Sequence, residues 1–425
     1  MTIEQLYQVY LQYPSVTTDT RKINKGDIFF ALKGPSFNGN SFAQKALEAG
    51  AAYAVVDETA FATSEKTILV PDVLKALQDL AKHHRQQFTI PFIGITGSNG
   101  KTTTKELVHA VLATEFTTYT TEGNLNNHIG VPLTILKIKS DAQMAVIEMG
   151  ANHQKEIAGY CEYAMPTIGI ITNAGKAHLE GFGGEEGVKK GKGELYDYLR
   201  AHKGTAIVMW DYDYLHEMSK GINIIFTYGT KDADVTGTAI KSEPFLDVQF
   251  NNGIDETIHT QLVGDYNLPN VLCAAAVGKY FNIKPIQIKT AIEAYAPSNS
   301  RSQLIKKGSN NIILDAYNAN PSSMKAAIEN FAKLPASDKV LVLGGMAELG
   351  AESLEEHRQL IALIDKYKWK NVVLAGGDFL KIQHSYTSMP NAIAAKEWFK
   401  QQQFNNASIL VKGSRSMQME KVLED

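Results

Sequence analysis

The run Gly94-Ile95-Thr96-Gly97-Ser98-Asn99-Gly100-Lys101-Thr102-Thr103 carries the strongest chemical signal in the chain. Glycines at 97 and 100 let a backbone curl until successive N–H groups converge on phosphate oxygens. A helix starting at the end of the loop would add its positive N-terminal end. In such a cradle Ser98, Asn99 and Thr103 belong to the turn and Lys101 reaches the outer phosphates of a nucleotide. The Thr102 hydroxyl can ligate the magnesium that bridges them. A strict phosphate-loop pattern would place glycine where this chain has Ile95, so the match is to a variant loop. The same residues could serve an ordinary turn and helix start, so the flanking elements decide the reading.

Three further groups could serve the same chemistry. Magnesium on a triphosphate needs hard oxygen ligands, and Glu148, near the end of the apolar run AVIEMG, stands where a strand would deliver one. A solvated strand-end carboxylate would look the same. His178 follows another apolar run in ITNAGKAHLEGFG, where an ordinary loop or core histidine is equally at home. Lys189, Lys190 and Lys192 in GVKKGKGELYDYL read, on spacing alone, as a solvated basic face.

The elements that must position these residues are visible as changes of period. Up to about residue 88 the chain mixes short strands (27–31, 52–56, 67–70) with a helix over 73–86, a small α/β unit. From Thr89 the order is strand, glycine loop, helix: TIPFIGIT, GSNG, then KTTTKELVHAVLAT with Leu107, Val108, Val111 and Leu112 at helical spacing. Strands at 145–149 and 167–173 continue the rhythm of a mostly parallel sheet covered on both faces. After Thr205 the short strands AIVMW, NIIFTYG, DVTGTAI and FLDVQF predict a β-rich extension of this middle domain. The polar stretch PSNSRS at 297–302 is the second boundary and the expected hinge. NIILDAYN, KVLVLGG, NVVLAGG and SILVKGS then build a third α/β unit, without a GxGxxG turn to make it a dinucleotide domain. The expected division is 1–88, 89–300 and 301–425.

Bulk properties agree with an enzyme of this size. At 425 residues, about three domains of ~150 residues each can bury their own cores. The formal charge of −3, with 20% charged and 44% hydrophobic residues, gives neither the basic excess of a nucleic-acid binder nor the bias of a disordered tail. Two cysteines, Cys161 and Cys273, are too few for a disulfide framework or a thiolate metal cluster and suit a reducing compartment. No secretory signal or apolar run of ~18 residues stands out, so the expectation is a cytoplasmic protein without a membrane span. Nothing in the composition favours an assembly over a monomer. On these residues alone the loop could also belong to a kinase or to a nucleotide-gated binding module.

Taken in order, the motifs resemble the Mur ligase family, ATP-dependent amide-forming enzymes of peptidoglycan precursor synthesis. The likeness runs over nearly the whole chain: DTRKINKGDIFFALKGPSFNGNSF, TGSNGKTT, EGNLNNHIGVPLTIL, EMGANHQKEI, NAGKAHLEGFG, KGKGELY, DAYNANPSSMKAAI, VLGGMAELG and LVKGSRSMQME. NANPSSM with GGMAELG discriminates within the family. The string DNPR, expected of ligases that add the third amino acid, is absent, and folate-directed ligases would not carry this first domain. The resemblance implies three domains, a central phosphate-loop ATPase flanked by a small N-terminal α/β domain and a Rossmann-like C-terminal one. It implies joining of D-alanyl-D-alanine to UDP-MurNAc-tripeptide through an acyl phosphate.

The resemblance also re-weights residues. Thr102 and Glu148 would hold one magnesium, and His178 with a carbamylated lysine a second. Lys192, immediately before GELY, matches that lysine, with Lys190 the alternative. Asn267, Asn270, Arg301 and Asp315 match ATP-contacting positions, although Asn270 could simply cap a helix and Tyr266 stands where the family usually has histidine. Asp19, Thr20 and Arg21, with Lys33, Gly34 and the segment Phe37 to Phe42, match the UDP-sugar segments. Asn126, Asn127, Tyr317, Asn318, Asn320 to Ser323, Glu348 and the turn Lys412 to Ser414 are candidates for the remaining substrate contacts. Met324, Met346, Met417 and Met419 read as core filler.

Overall fold

The computed structural model describes residues 1–298 and 300–424; Asn299, inside the predicted hinge, and Asp425 lie outside the described residues. Among the described residues the chain builds three main sheets, of four, nine and six strands. The first is parallel, in the order Val16–Thr17, Ile28–Phe30, Tyr53–Val56, Thr67–Leu69. The helix Val73–Arg85 starts at Asp72, whose carboxylate accepts the Lys75 N–H at 2.7 Å, and buries Val73, Leu77, Leu80 and Ala81 at helical spacing. Its last residue fixes this unit to the next. Buried Arg85 donates to the carbonyls of Ala164 and Met165 at 3.0 and 2.9 Å and lies 3.7 Å over the Phe92 ring, capping the C-terminal end of helix Glu156–Ala164.

The central sheet runs Thr118–Thr120, Met144–Glu148, Phe92–Thr96, Ile168–Ile171, Thr205–Met209, Ile224–Gly229, Val235–Lys241, Asp247–Asn252, Thr257–His259. The first seven strands are parallel and the last two antiparallel. The predicted β-rich extension is therefore in part the parallel sheet itself, and the antiparallel meander begins only at Asp247. Phe92–Thr96 is fully buried in the interior of the sheet, as a mainly apolar strand covered on both faces should be. In register, Ile95 lies opposite Glu148 and Thr96 opposite Ile171. Three neighbouring strands thus end together, and ligands of open parallel sheets bind at that edge.

The third sheet runs Gln303–Lys307, Asn310–Asp315, Ser408–Lys412, Lys339–Gly344, Asn371–Ala375, Thr387–Met389, antiparallel only at its first pair. Helix Pro321–Lys333 follows, with Asn320 and Ser323 forming a reciprocal capping box. Met324, Met346 and Met419 are buried, as core filler should be. No helix among the described residues is long and apolar enough to cross a membrane.

Candidate active site

The loop after Phe92–Thr96 has the shape its glycines require. Gly97 has φ +145°, and a Cβ there would lie 2.0 Å from Thr172 Oγ1; Gly100, at φ +78°, would place one 2.5 Å from Asn270 Oδ1. Neither position admits a side chain, and helix Lys101–Leu112 begins directly after. Lys101 folds back on its own loop, its Nζ donating to the carbonyls of Gly97 at 2.6 Å and Ser98 at 3.3 Å. Desolvation lowers the pKa of this ammonium, opposed by the charge of Glu148. The loop opens into a cavity of about 1040 Å³. Ser98 to Thr103, Asn126, Asn127, Glu148, His178, Asn267, Asn270, Arg301, Asp315, Tyr317, Asn318, Asn320 and Lys412 line it.

Glu148 is buried beside the loop. Its Oε1 accepts the Thr102 hydroxyl at 3.0 Å and the Asn126 amide at 2.7 Å, and its backbone N–H donates to Thr121 Oγ1 at 2.9 Å. Its Oε2 is buried without a hydrogen-bond partner among the described residues. A desolvated carboxylate oxygen left bare costs free energy unless something meets it, so the arrangement is built for a cation. Asn127 serves its own turn, accepting the N–H groups of Ile129 and Gly130 at 3.1 and 2.8 Å.

The lysine cluster departs from the solvated face that spacing suggests. Helix Glu185–Ala201 buries Val188, Gly191, Lys192, Leu195, Tyr196 and Leu199, and Lys192 falls on that stripe. Lys190 is exposed, and Lys189 pairs with Glu186 at 2.6 Å. Lys192 is only 1% exposed; its Nζ donates to the Ala151 carbonyl at 3.0 Å and lies 4.9 Å from the Phe182 ring centroid. Burial, and then the charge of Lys101, drive its pKa well below that of an ordinary lysine. Ala151 lines the cavity and Lys192 does not. His178, in the left-handed region at φ +53°, turns its ring to Glu348, and that contact holds the Glu348 carboxyl below the usual range.

Asn267 and Asn270 form one buried chain under the loop. Asn270 donates to Asn267 Oδ1 at 2.8 Å and accepts the Thr104 hydroxyl at 3.0 Å, while Asn267 donates to the Val263 carbonyl at 2.9 Å. Asn270 is thus no helix cap; it ties the helix Leu268–Tyr280 to the phosphate-loop helix. Tyr266 donates to Ser302 Oγ at 2.9 Å. From the third unit, Arg301 stacks 3.6 Å from the Tyr317 ring centroid. Asp315 accepts the Ser302 N–H at 3.1 Å and Lys412 Nζ at 2.5 Å, and Lys412 also reaches the Asn318 carbonyl at 3.3 Å. Asn320 donates to Asn99 Oδ1 at 2.8 Å, so this unit touches the phosphate loop directly.

Several expected residues are not brought to the cavity. Asp19 pairs with Arg21 through both carboxylate oxygens at 2.9 Å on an exposed turn that starts at Thr20. Lys33 sits between Asp57 and Glu58 at 2.8 and 2.9 Å, and Gly34 lies under the Phe37 ring. These two cations already have carboxylate partners, so a diphosphate would have to exchange with them. Ser414 is buried and donates to the Gly345 carbonyl at 2.7 Å, away from the cavity lining.

Sequence reading missed the polar pair after the strand Ile168–Ile171. The Asn99 N–H donates to Asn173 Oδ1 at 2.9 Å, Asn173 returns its amide to the Asn99 carbonyl at 3.1 Å, and Thr172 Oγ1 donates to the same carbonyl at 2.6 Å. The usable signal was two polar residues ending an apolar strand beside the loop strand. Met209, Asp211, Tyr212, Tyr214 and Thr230 also line the cavity, from the end of the strand Thr205–Met209, the turn and helix that follow it, and the residue after the strand Ile224–Gly229.

Sequence profiles agree with this architecture. The Mur ligase family catalytic domain matches residues 12–85, the Mur ligase middle domain 95–278 and the Mur ligase glutamate ligase domain 300–415. The UDP-N-acetylmuramoyl-tripeptide–D-alanyl-D-alanine ligase of Bacillus subtilis is 37% identical over 425 residues, covering 96% of this chain and 92% of the relative. The crystal structure of MurF from Acinetobacter baumannii superposes with a TM-score of 0.89 at 29% identity, covering 99% of this chain and 97% of that one. MurF ligase from Thermotoga maritima, solved in complex with ADP, gives 0.86 at 25% identity, with 97% of each chain covered.

Proposed function

The chain belongs to the Mur ligase family, and from that premise we propose that it uses ATP to join D-alanyl-D-alanine to UDP-N-acetylmuramoyl-tripeptide, forming the pentapeptide. The observation that carries the reading is the single cavity in which the phosphate loop, Glu148 and the C-terminal unit's Arg301, Asp315, Asn320 and Lys412 meet. Relatives bearing that activity in their names match over nearly their whole length. We assign residues 1–88 to the UDP-sugar, 89–300 to ATP, and 301–425 to the nucleotide's far side and the dipeptide.

Making an amide from a free carboxylate in water needs activation, and the residues here suit activation through phosphate. The loop N–H groups and Lys101 hold the outer phosphates in line for attack by the tripeptide's terminal carboxylate, which would take the γ-phosphoryl group as an acyl phosphate. Lys101 is partly buried at the cavity wall, so its charge would be less screened than a surface lysine's where negative charge develops. The amine of D-alanyl-D-alanine would then displace phosphate. The Asn99–Asn320 contact ties the third unit to the loop, the side from which water that would hydrolyse the activated acid would have to be kept out.

Magnesium fits the donor set on the observation of the bare, buried Glu148 Oε2 beside the Thr102 hydroxyl. The described residues hold no group of three or more His, Cys, Asp or Glu side chains that could retain a metal unaided. Phosphate oxygens, a carbamylated Lys192 and His178 would have to complete a two-ion site. Bound magnesium would supply charge neutralisation at the transferring phosphoryl group. Lys192 meets the requirement for carbamylation, a sheltered amine that sheds its proton readily.

Mass spectrometry of the product from UDP-N-acetylmuramoyl-tripeptide, ATP and D-alanyl-D-alanine tests the reading, with pentapeptide expected. Oxygen-18 in the tripeptide carboxylate should appear in the released phosphate. Absence of the label there would remove the acyl-phosphate route.

A further inference from the structure

The segment Asn173 to His178 touches both sides of the cavity. At its start Asn173 and Gly175 exchange hydrogen bonds with the phosphate loop, Gly175 N–H donating to Ser98 Oγ at 3.1 Å and Ser98 Oγ to the Gly175 carbonyl at 2.9 Å. At its end His178 meets Glu348. Between them, Lys176 is held at both ends by the C-terminal unit: its backbone N–H donates to Ser322 Oγ at 3.1 Å, and its Nζ reaches Glu356 at 2.6 Å. Glu356 is buried on the helix Ser353–Ile364, whereas the second carboxylate near Lys176, Glu185 at 3.4 Å, is half exposed and comes from the central unit.

We infer that Lys176 is a positioning residue that couples docking of the C-terminal unit to the loop that holds the phosphates. The physical reason lies in which state bears the cost. An exposed ion pair contributes little, but removing the cation from a buried carboxylate leaves a charge without its partner. That cost belongs to the closed arrangement, because separation of the units lets water replace the ammonium. Lys176 sits one residue from Gly175, so a shift of the phosphate loop and a shift of the C-terminal unit meet in the same short stretch of backbone. The inference rests on the ligase reading, in which the C-terminal unit delivers the amine.

The test is steady-state kinetics of Lys176→Met, Glu356→Gln and the double variant, with binding of a non-hydrolysable ATP analogue and small-angle scattering of the ligand-bound enzyme. Each single substitution should raise the KM for D-alanyl-D-alanine about tenfold, within the usual range for coupled sites. Affinity for the ATP analogue should weaken in the same direction but less, by about threefold, because coupling is reciprocal while no loop donor is removed. The double variant should be no worse than either single one, and the variants should fail to compact when the tripeptide substrate and ATP analogue are added. Wild-type KM and compaction in Glu356→Gln would overturn the inference, as would single effects that multiply in the double variant. If Lys176→Met does not fold, the near-isosteric Glu356→Gln carries the test. Failure of the wild-type enzyme to release phosphate on addition of D-alanyl-D-alanine would instead sink the ligase reading, leaving the scattering comparison to decide the coupling.

Discussion

Replacing Lys192 by methionine should make the protein more stable and nearly inactive. The side chain is 1% exposed, has one hydrogen bond, 3.0 Å to the Ala151 carbonyl, and no carboxylate in ion-pair contact among the described residues. Its pKa lies well below the ordinary lysine value because of burial. The unfolded chain therefore binds this proton more readily than the folded one. The stability this group allows is full only above the unfolded lysine pKa, near 10.4, and is lost as pH falls from there toward the depressed folded value. Each tenfold loss of basicity costs about 1.4 kcal/mol below that window, against about 1 kcal/mol for the hydrogen bond methionine gives up. Methionine has nearly the same volume and no charge to bury. In carbon-dioxide-free buffer at neutral pH, Tm should rise, by about 2–4 °C for each kcal/mol gained in a unit of this size. Activity should fall at least about 100-fold, the loss expected when a transition-state charge stabiliser is removed. Lys192→Ala should lose as much but recover in part with short carboxylic acids, which fit the space and restore an oxygen anion; the methionine variant should not. A lowered Tm in Lys192→Met, or wild-type turnover in either variant, would refute the reasoning.

Three other outcomes follow from the geometry. Lys101→Ala should reduce ligation at least about 100-fold while leaving uridine-nucleotide binding by calorimetry unchanged, because the loop and the N-terminal sheet are separate structures; retained turnover would remove the phosphate-loop assignment. Gly100→Ala places a Cβ at φ +78° and 2.5 Å from Asn270 Oδ1, so it should cost at least about 1–2 kcal/mol in thermal denaturation and weaken ATP binding. Unchanged nucleotide affinity there would show that the tight curl is not what holds the phosphates. His84, between the Tyr7 hydroxyl at 3.1 Å and the Ile138 carbonyl at 2.8 Å, has its pKa lowered by burial. Its contribution is full above about pH 6.5 and is lost as pH falls toward the folded value, so His84→Gln should flatten the loss of stability between about pH 7 and pH 5; an unchanged pH slope would count against that role.

The phosphate loop was legible because its chemistry is written in consecutive residues: strand, glycines, lysine, threonine and helix all fall within one short window. The strands were legible for the same reason: the predicted runs at 27–31, 89–96, 167–173 and 408–414 contain the observed strands 28–30, 92–96, 168–171 and 408–412. Groups that meet across long separations were not. Nothing local says that Asn126 completes the shell of Glu148, that Asn320 reaches Asn99 across 221 residues, or that Asn270 spends its side chain on Thr104. Lys192 is the instructive intermediate. Its burial was implicit in the four- and seven-residue spacing from Val188 to Leu195, but flanking charges at Glu185, Glu186, Lys189 and Lys190 hid the stripe.

The topology explains why these residues act as one site. Parallel strands align their C-terminal ends, so neighbours in the sheet deliver their following residues to one edge whatever their separation in sequence. Phe92–Thr96 delivers the loop, Met144–Glu148 the carboxylate and Ile168–Ile171 the stretch Thr172 to His178. The groups proposed to grip the phosphates thus come from the central unit, whereas those on the cavity's far wall, Arg301, Asp315, Asn320 and Lys412, belong to the third. The loop's hydrogen bonds to Asn173 and Gly175 lie within the central unit, whereas those of Asn320 and Lys176 cross between the two units. On the proposed ligase reading, the acid would be activated on the central unit and the amine brought by the third, so the reactive acyl group need form only when both walls are together.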